Sequence, residues 1–214
     1  MFKISKNIEI PIDSKKWISD HIFEIKNLIA KKHSESKDYG FLNSIILPEK
    51  LILKRKYDAE EVAVAIKISP EDLFVAKGWT TDERPFAGWA DASTNEIFLN
   101  ANALINRNEK SIEFLIIHEI AHLIDPKLYR ENLNVKPNAP YYEKPHEVDA
   151  LSVEMSEILR FKYSPGQLLD MLRSGDLEKN PRRHPAIDNF RPEDLRRFKL
   201  RLYHDIISDI EKSY

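Results

Sequence analysis

Three residues near the middle of the chain have the types and spacing of a metal site: His118, Glu119 and His122. Residues four apart on a helix lie on the same face, so the two histidines can direct ring nitrogens at one metal ion. Glu119 projects about 100° around the helix from His118, where it can reach a water molecule on the metal rather than the metal itself. The pattern therefore predicts a zinc site at which Glu119 acts as general base in a hydrolysis.

The residues around this motif favour the same interpretation. The segment 116–124 is otherwise composed of aliphatic residues. A helix of this composition is expected to be buried, and buried ionisable side chains are costly unless they are paired or bind a metal. We therefore expect a functional metal site rather than an accident of composition.

A catalytic zinc site needs a third protein ligand, and the acids that follow the motif supply the candidates. Asp125 and Leu128 occupy the positions at which a metzincin-type motif carries its glycine and third histidine, which excludes that arrangement. We choose Glu147 because it falls in the first turn of a predicted helix, one position before the buried face of that helix begins. Glu143 and Asp149 remain alternative ligands, since the helix dipole by itself also favours acids in a first turn.

Five further residues are candidates for supporting roles around the metal. Asp125 and Asp149 could accept hydrogen bonds from the far ring nitrogens of the histidine ligands, although Asp125 is equally explained as a helix-end residue. Tyr141, Tyr142 and His146 lie just before the third ligand and could donate to the oxyanion that develops during hydrolysis. Packing or surface anchoring is the ordinary alternative for the adjacent tyrosines.

A hairpin is predicted directly before the motif helix, and its second strand is a candidate substrate-binding element. We predict that Glu96, Ile97, Phe98 and Leu99 form an edge strand that pairs with an extended peptide through main-chain hydrogen bonds. The alternative is a sheet edge with no role in binding.

The hydrophobic pattern predicts helices and strands in one chain. Helices are expected where apolar residues recur at helical spacing behind capping residues, and strands where β-branched residues alternate. The predicted elements are a helix at 13–32, antiparallel strands at 51–57 and 62–68, a short helix from Pro70 to Gly78, the hairpin with strands at 86–90 and 95–100, the motif helix after Asn108, a proline-rich loop, a helix from Pro145, a capping-box helix from Ser164 to Gly175 and a last helix from Pro192.

The motif at 118–122, followed by Glu147-Val148-Asp149-Ala150, resembles the glutamate-zincin arrangement of the ImmA/IrrE-type metallopeptidases and their small bacterial and bacteriophage relatives. In that family one helix carries the two histidines, and the next helix supplies a glutamate followed three positions later by alanine. The resemblance covers about Phe86 to Met155, and it departs from thermolysin-like enzymes because Leu151 stands where they carry aspartate.

The resemblance implies an α+β, zincin-like fold. Its small antiparallel or mixed sheet would pack on the motif helix and on a second, ligand-bearing helix, with additional helices towards the C-terminus. We accordingly predict a metallopeptidase domain with an N-terminal helix at 1–163, and a helical extension at 164–214 that packs on the same domain.

The whole-chain composition narrows the class of protein. The chain has 214 residues, 42% of them hydrophobic and 32% charged, and its formal net charge is −2, which does not point to nucleic-acid binding. There are no cysteines, so any metal must be held by histidine, aspartate or glutamate. No apolar run reaches membrane-spanning length, and the first residues lack the apolar core of a secretion signal, so we expect a cytoplasmic protein with no membrane partner.

Three classes of function are compatible with these features. The leading one is a zinc endopeptidase acting on a protein or peptide substrate. The second is a non-catalytic regulatory or virion-associated protein that keeps a metal-binding zincin fold, but a purely structural site has no use for Glu119. The third is nucleic-acid or partner binding through basic residues at 182–183 and 196–197, which alternate with acids and are more simply a solvated helix face. The sequence leaves the substrate and the oligomeric state open.

Overall fold

The computed structural model describes residues 10–35, 42–55, 60–81, 84–124, 145–179 and 190–212. The chain divides into two compact units, one formed by Ile10–Tyr129 and the other by Arg130–Tyr214 together with Met1–Glu9. Among the described residues the protein is α+β, with a small mixed sheet and several helices.

The first unit contains the strands and four of the described helices. In chain order these are α1 (Ile12–Glu35), β1 (Ile45–Ile46), β2 (Leu51–Lys54), β3 (Glu61–Ser69), α2 (Glu71–Ala76), β4 (Thr80–Thr81), β5 (Arg84–Pro85), β6 (Gly88–Asp91), β7 (Glu96–Asn100), α3 (Ala101–Leu104) and α4 (Glu109–Ile124).

The sheet is mixed because β3 and β7 run parallel. β3 also pairs antiparallel with β1 and with β2, and β7 pairs antiparallel with β6. The order along the described sheet is β1, β3, β7, β6, with β2 beside β3, while β4 and β5 form a separate antiparallel pair. Strand β7 therefore has neighbours on both sides.

One face of the sheet is covered by helices. Ile66 and Ile68 of β3 stand opposite Ile97 and Leu99 of β7, and all four side chains are fully buried. Helix α1 packs against β3, and α4 packs against β6, β7 and α1. The predicted helix at 13–32 is confirmed in α1, which turns isoleucines at helical spacing towards this core: Ile18, Ile22, Ile25 and Ile29.

The opposite face of the sheet carries an aromatic cluster that anchors β6. Trp89 stands opposite Phe98 of β7, and its ring stacks on that of Trp79 at a centroid distance of 5.2 Å. The ring of Phe86 also stacks with that of Trp89, at a centroid distance of 5.9 Å. Main-chain pairing and ring stacking thus both hold β6 in its register.

The second unit is helical in its described part. It contains α5 (Pro145–Lys162), α6 (Pro165–Ser174), α7 (Asp176–Lys179) and α8 (Pro192–Lys212). The predicted capping box is confirmed in Ser164 and Gln167, and Gly175 ends α6 in the left-handed conformation. Helices on both sides of the predicted boundary at 163/164 share one core, which includes Val148, Leu151, Met155, Leu159, Leu168, Leu177, Phe190, Phe198, Leu202 and Ile206.

The remaining local predictions fare differently. The predicted antiparallel pair is confirmed in β2 and β3, with the first strand ending at Lys54 and residues 56–57 lying outside the described part of the chain. The hairpin before the motif helix is confirmed in β6 and β7. The prediction that Glu96, Ile97, Phe98 and Leu99 form an edge strand is wrong, because β3 pairs with β7 on the side away from β6. Within the described sheet, β6 is the terminal strand on that side. None of the described helices is long and apolar enough to cross a membrane.

Candidate metal centre

Helix α4 brings two imidazoles together. His118 and His122 are one turn apart, and their Nε2 atoms lie 3.3 Å from each other. A tetrahedral zinc with bonds of about 2.0–2.1 Å to nitrogen requires roughly 3.3–3.4 Å between two of its ligands. The spacing of the two nitrogens therefore matches that of neighbouring ligands on one tetrahedral ion.

The position of α4 follows from its aliphatic residues and its cap. Ile112, Ile116, Ile120 and Leu123 are fully buried, so the helix is embedded along its length. At its start the side chain of Asn108 accepts a hydrogen bond from the backbone N–H of Ser111 at 2.8 Å. His118 is 4% exposed, and His122 is less completely buried as a whole residue.

Glu147 supplies the acidic member of the group. It lies in the first turn of α5 and is buried. One ligand atom each from His118, His122 and Glu147 lies within 4.8 Å of the others, and these are the described residues that could hold a metal ion. His146, predicted as a supporting residue, places its Nε2 3.3 Å from a carboxylate oxygen of Glu147.

Glu119 lies on a different side of helix α4 from the two histidines. Its carboxylate is buried against β6, so close to Gly88 that a Cβ built on this glycine would lie 2.7 Å from Oε1. The predicted separation of roles is therefore compatible with the structure, since the Glu119 carboxylate lies beside a strand rather than within the three-residue group. Sequence reasoning assigned no role to Gly88, although a glycine inside a strand can indicate close approach by another group.

Other predicted residues divide into two sets. Asp149 lies 3.5 Å from Nη1 of Arg197 on α8, and Arg197 also donates to the fully buried Asp194. This places one of the basic residues at 196–197 in ion pairs within the chain. Asp125, Tyr141, Tyr142 and the alternative ligand Glu143 lie outside the described residues.

The donor set is suited to a divalent cation. Two neutral imidazoles and a carboxylate are the ligands that metals such as zinc take in proteins without cysteine. Glu147 is buried, and a divalent cation bound to its carboxylate would balance the negative charge and so reduce the cost of burying it. The group of His118, His122 and Glu147 could therefore hold a metal ion.

Comparisons with models of protein families, with curated proteins and with solved structures give no match for this chain.

Proposed function

We propose that the protein is a zinc-dependent metallopeptidase with a zincin-like active site. The observation that carries the proposal is the group of His118, His122 and Glu147, in which the two imidazole nitrogens already have the spacing of neighbouring ligands. Hydrolysis also requires a general base, and Glu119 supplies the carboxylate for it. Glu119 follows the ligand His118 in sequence, but its carboxylate lies against β6.

The proposal divides the residues of the site into metal ligands, a residue that orients a ligand, and a general base. His118, His122 and Glu147 hold the zinc, and His146 orients the Glu147 carboxylate through its contact at 3.3 Å. When bound, the zinc ion acts as a Lewis acid that acidifies a water molecule and polarises a carbonyl oxygen. Glu119 would take a proton from water as the water oxygen bonds to the carbonyl carbon, and would give that proton to the peptide nitrogen as the carbon–nitrogen bond breaks and the amine leaves.

The substrate is proposed to be an extended peptide lying along β6. The N–H of Asn100 donates to the carbonyl of Ala87 at 2.9 Å, so alternate residues of this strand direct their main-chain groups towards β7. Gly88 and Ala90 fall between them and direct their N–H and C=O groups away from β7. The side of β6 that faces away from β7 is the edge of the described sheet, and a peptide could add there as a further strand.

The proposal is tested by the metal content of purified protein. Wild type is compared with His122→Ala, Glu147→Gln and Glu119→Gln by elemental analysis without added metal. We expect about one zinc per chain in wild type and in Glu119→Gln, and little in the other two variants. Wild-type protein that remains free of metal after incubation with zinc would contradict the proposal.

Cleavage then separates an enzyme from a protein that only binds metal. Zinc-loaded wild type is incubated with a mixture of unstructured peptides, with zinc-loaded Glu119→Gln as the matched control. We expect hydrolysis by wild type and a loss of about 10²–10⁴-fold in rate for the variant, the usual contribution of a general base. If wild type binds zinc but cleaves the peptides no faster than Glu119→Gln does, the non-catalytic alternative is favoured.

A further inference from the structure

Gly88 stands at the point where β6 approaches the Glu119 carboxylate. A Cβ on Gly88 would lie 2.7 Å from Oε1 of Glu119 and 3.2 Å from both Cδ and Cγ. All three separations are shorter than the 3.4–4 Å of an ordinary van der Waals contact made by a Cβ atom. Any side chain at position 88 would therefore overlap the Glu119 side chain where it now lies.

The backbone conformation of Gly88 does not require a glycine. Among the described residues, Gly78 and Gly175 have positive φ values, whereas Gly88 does not and forms part of a regular antiparallel pair. Alanine at position 88 would be compatible with the conformation of the strand. The absence of a side chain is instead explained by the space that Glu119 occupies.

The strand has little freedom to move away from a larger residue. Gly88 stands opposite Leu99, which is fully buried, and the next residue, Trp89, lies on the other face of the sheet with its ring in stacking contact with those of Trp79 and Phe86. The carboxylate of Glu119 is the end of a flexible side chain and is the group more easily displaced. An alanine at position 88 should therefore move the carboxylate rather than the strand.

We propose that Gly88 is a positioning residue for Glu119. Because Gly88 has no side chain, the Glu119 carboxylate can lie directly against β6, and this contact fixes the orientation of the general base relative to the substrate. This role rests on the proposed peptidase function. It also explains why the terminal strand has a glycine at this position, although glycine weakens a strand. Since the alanine variant keeps every main-chain donor and acceptor of β6, the pairing of a substrate with this strand would be preserved.

The contact is tested first without reference to activity, by thermal unfolding of the metal-free protein. Gly88→Ala is introduced into wild type, into Glu119→Gln and into Glu119→Ala. We expect a lower Tm in the first two backgrounds, because glutamine keeps the volume of glutamate, and no loss in the third, where the space is vacated. Gly166→Ala is the matched control, because a Cβ at Gly166 meets no atom within 4 Å.

A crystal structure of Gly88→Ala provides the second measurement. We expect the Glu119 carboxylate to be displaced by roughly half an ångström or more, with the path of β6 unchanged. A carboxylate that keeps its place, together with the same change in Tm in all three backgrounds, would overturn the proposal. Neither measurement depends on catalysis, so both remain decisive if the proposed peptidase function fails.

Kinetics of the zinc-loaded protein provide the readout specific to positioning. Gly88→Ala should keep its zinc and its KM, and kcat should fall by roughly tenfold or more, part of the 10²–10⁴-fold that a general base contributes. In the Glu119→Gln background the same substitution should leave the residual rate unchanged. An equal fall in both backgrounds would mean that Gly88 acts on something other than Glu119, and would overturn its role as a positioning residue.

Discussion

Zinc should stabilise this protein strongly, and the effect should depend on three named side chains. The perturbation is the addition of zinc to protein stripped of metal with a chelator. Glu147 lies twenty-five positions after His122 in the sequence, so an unfolded chain does not hold the three ligands together. The folded chain has their ligand atoms within 4.8 Å of one another, so we expect metal binding to be coupled to folding.

The magnitude follows from this coupling. A ligand that binds only the folded state stabilises it by about 2.7 kcal/mol when its free concentration is a hundred times its Kd. For a domain of this size, each kcal/mol raises Tm by roughly 2–4 °C. We therefore expect an increase in Tm of about 5–11 °C at that concentration of zinc.

The assay is differential scanning fluorimetry at fixed, buffered free zinc. Glu119→Gln should retain the whole increase in Tm, whereas His118→Ala and Glu147→Gln should lose most of it. His204→Ala is the control for adventitious binding, because His204 is an exposed histidine on α8. An equal increase in wild type and in both ligand variants would refute the inference that these residues form the site.

Three further predictions concern side chains that stabilise one or the other of the two units. Phe198 is fully buried in the core of the second unit, so Phe198→Ala should lower the free energy of unfolding by about 3–5 kcal/mol, as measured by urea unfolding. A decrease of less than about 1 kcal/mol would contradict this packing. Burial lowers the pKa of the His21 imidazole, but its contacts with a backbone carbonyl of α1 and with Glu49 outweigh this effect and leave the pKa above the usual 6.5. The free energy of unfolding should therefore include a contribution from His21 that is complete below pH 6.5 and is lost as the pH rises through the pKa of the folded state. Urea unfolding as a function of pH should show this loss in wild type and not in His21→Gln. Arg160 forms a two-point contact with Asp209 and a further ion pair with Glu157, so Arg160→Lys should lower the free energy of unfolding by about 1 kcal/mol. Urea unfolding should show a smaller cost of the same substitution in an Asp209→Ala background, and an undiminished cost there would contradict the two-point contact.

Much of the local structure could be predicted from the sequence. Apolar spacing predicted α1 and α4, and the capping box at Ser164 and the stop at Gly175 followed from residues three to eleven positions apart. These features depend on contacts between close neighbours in the chain, which the pattern of residue types reports directly. The position of β7 in the sheet could not be predicted in this way, because its parallel partner β3 lies about thirty residues earlier.

The sequence by itself determined that His118 and His122 lie one turn apart on one helix and that Glu119 points elsewhere, because the geometry of a helix depends on spacing alone. It also narrowed the third ligand to a few acids. Only the tertiary structure decided that Glu147 lies with the histidines, that β6 rather than β7 ends the described sheet, and that Gly88 faces the Glu119 carboxylate. Each of these depends on contacts between segments distant in the sequence, and such contacts are set by the packing of whole elements rather than by local residue patterns.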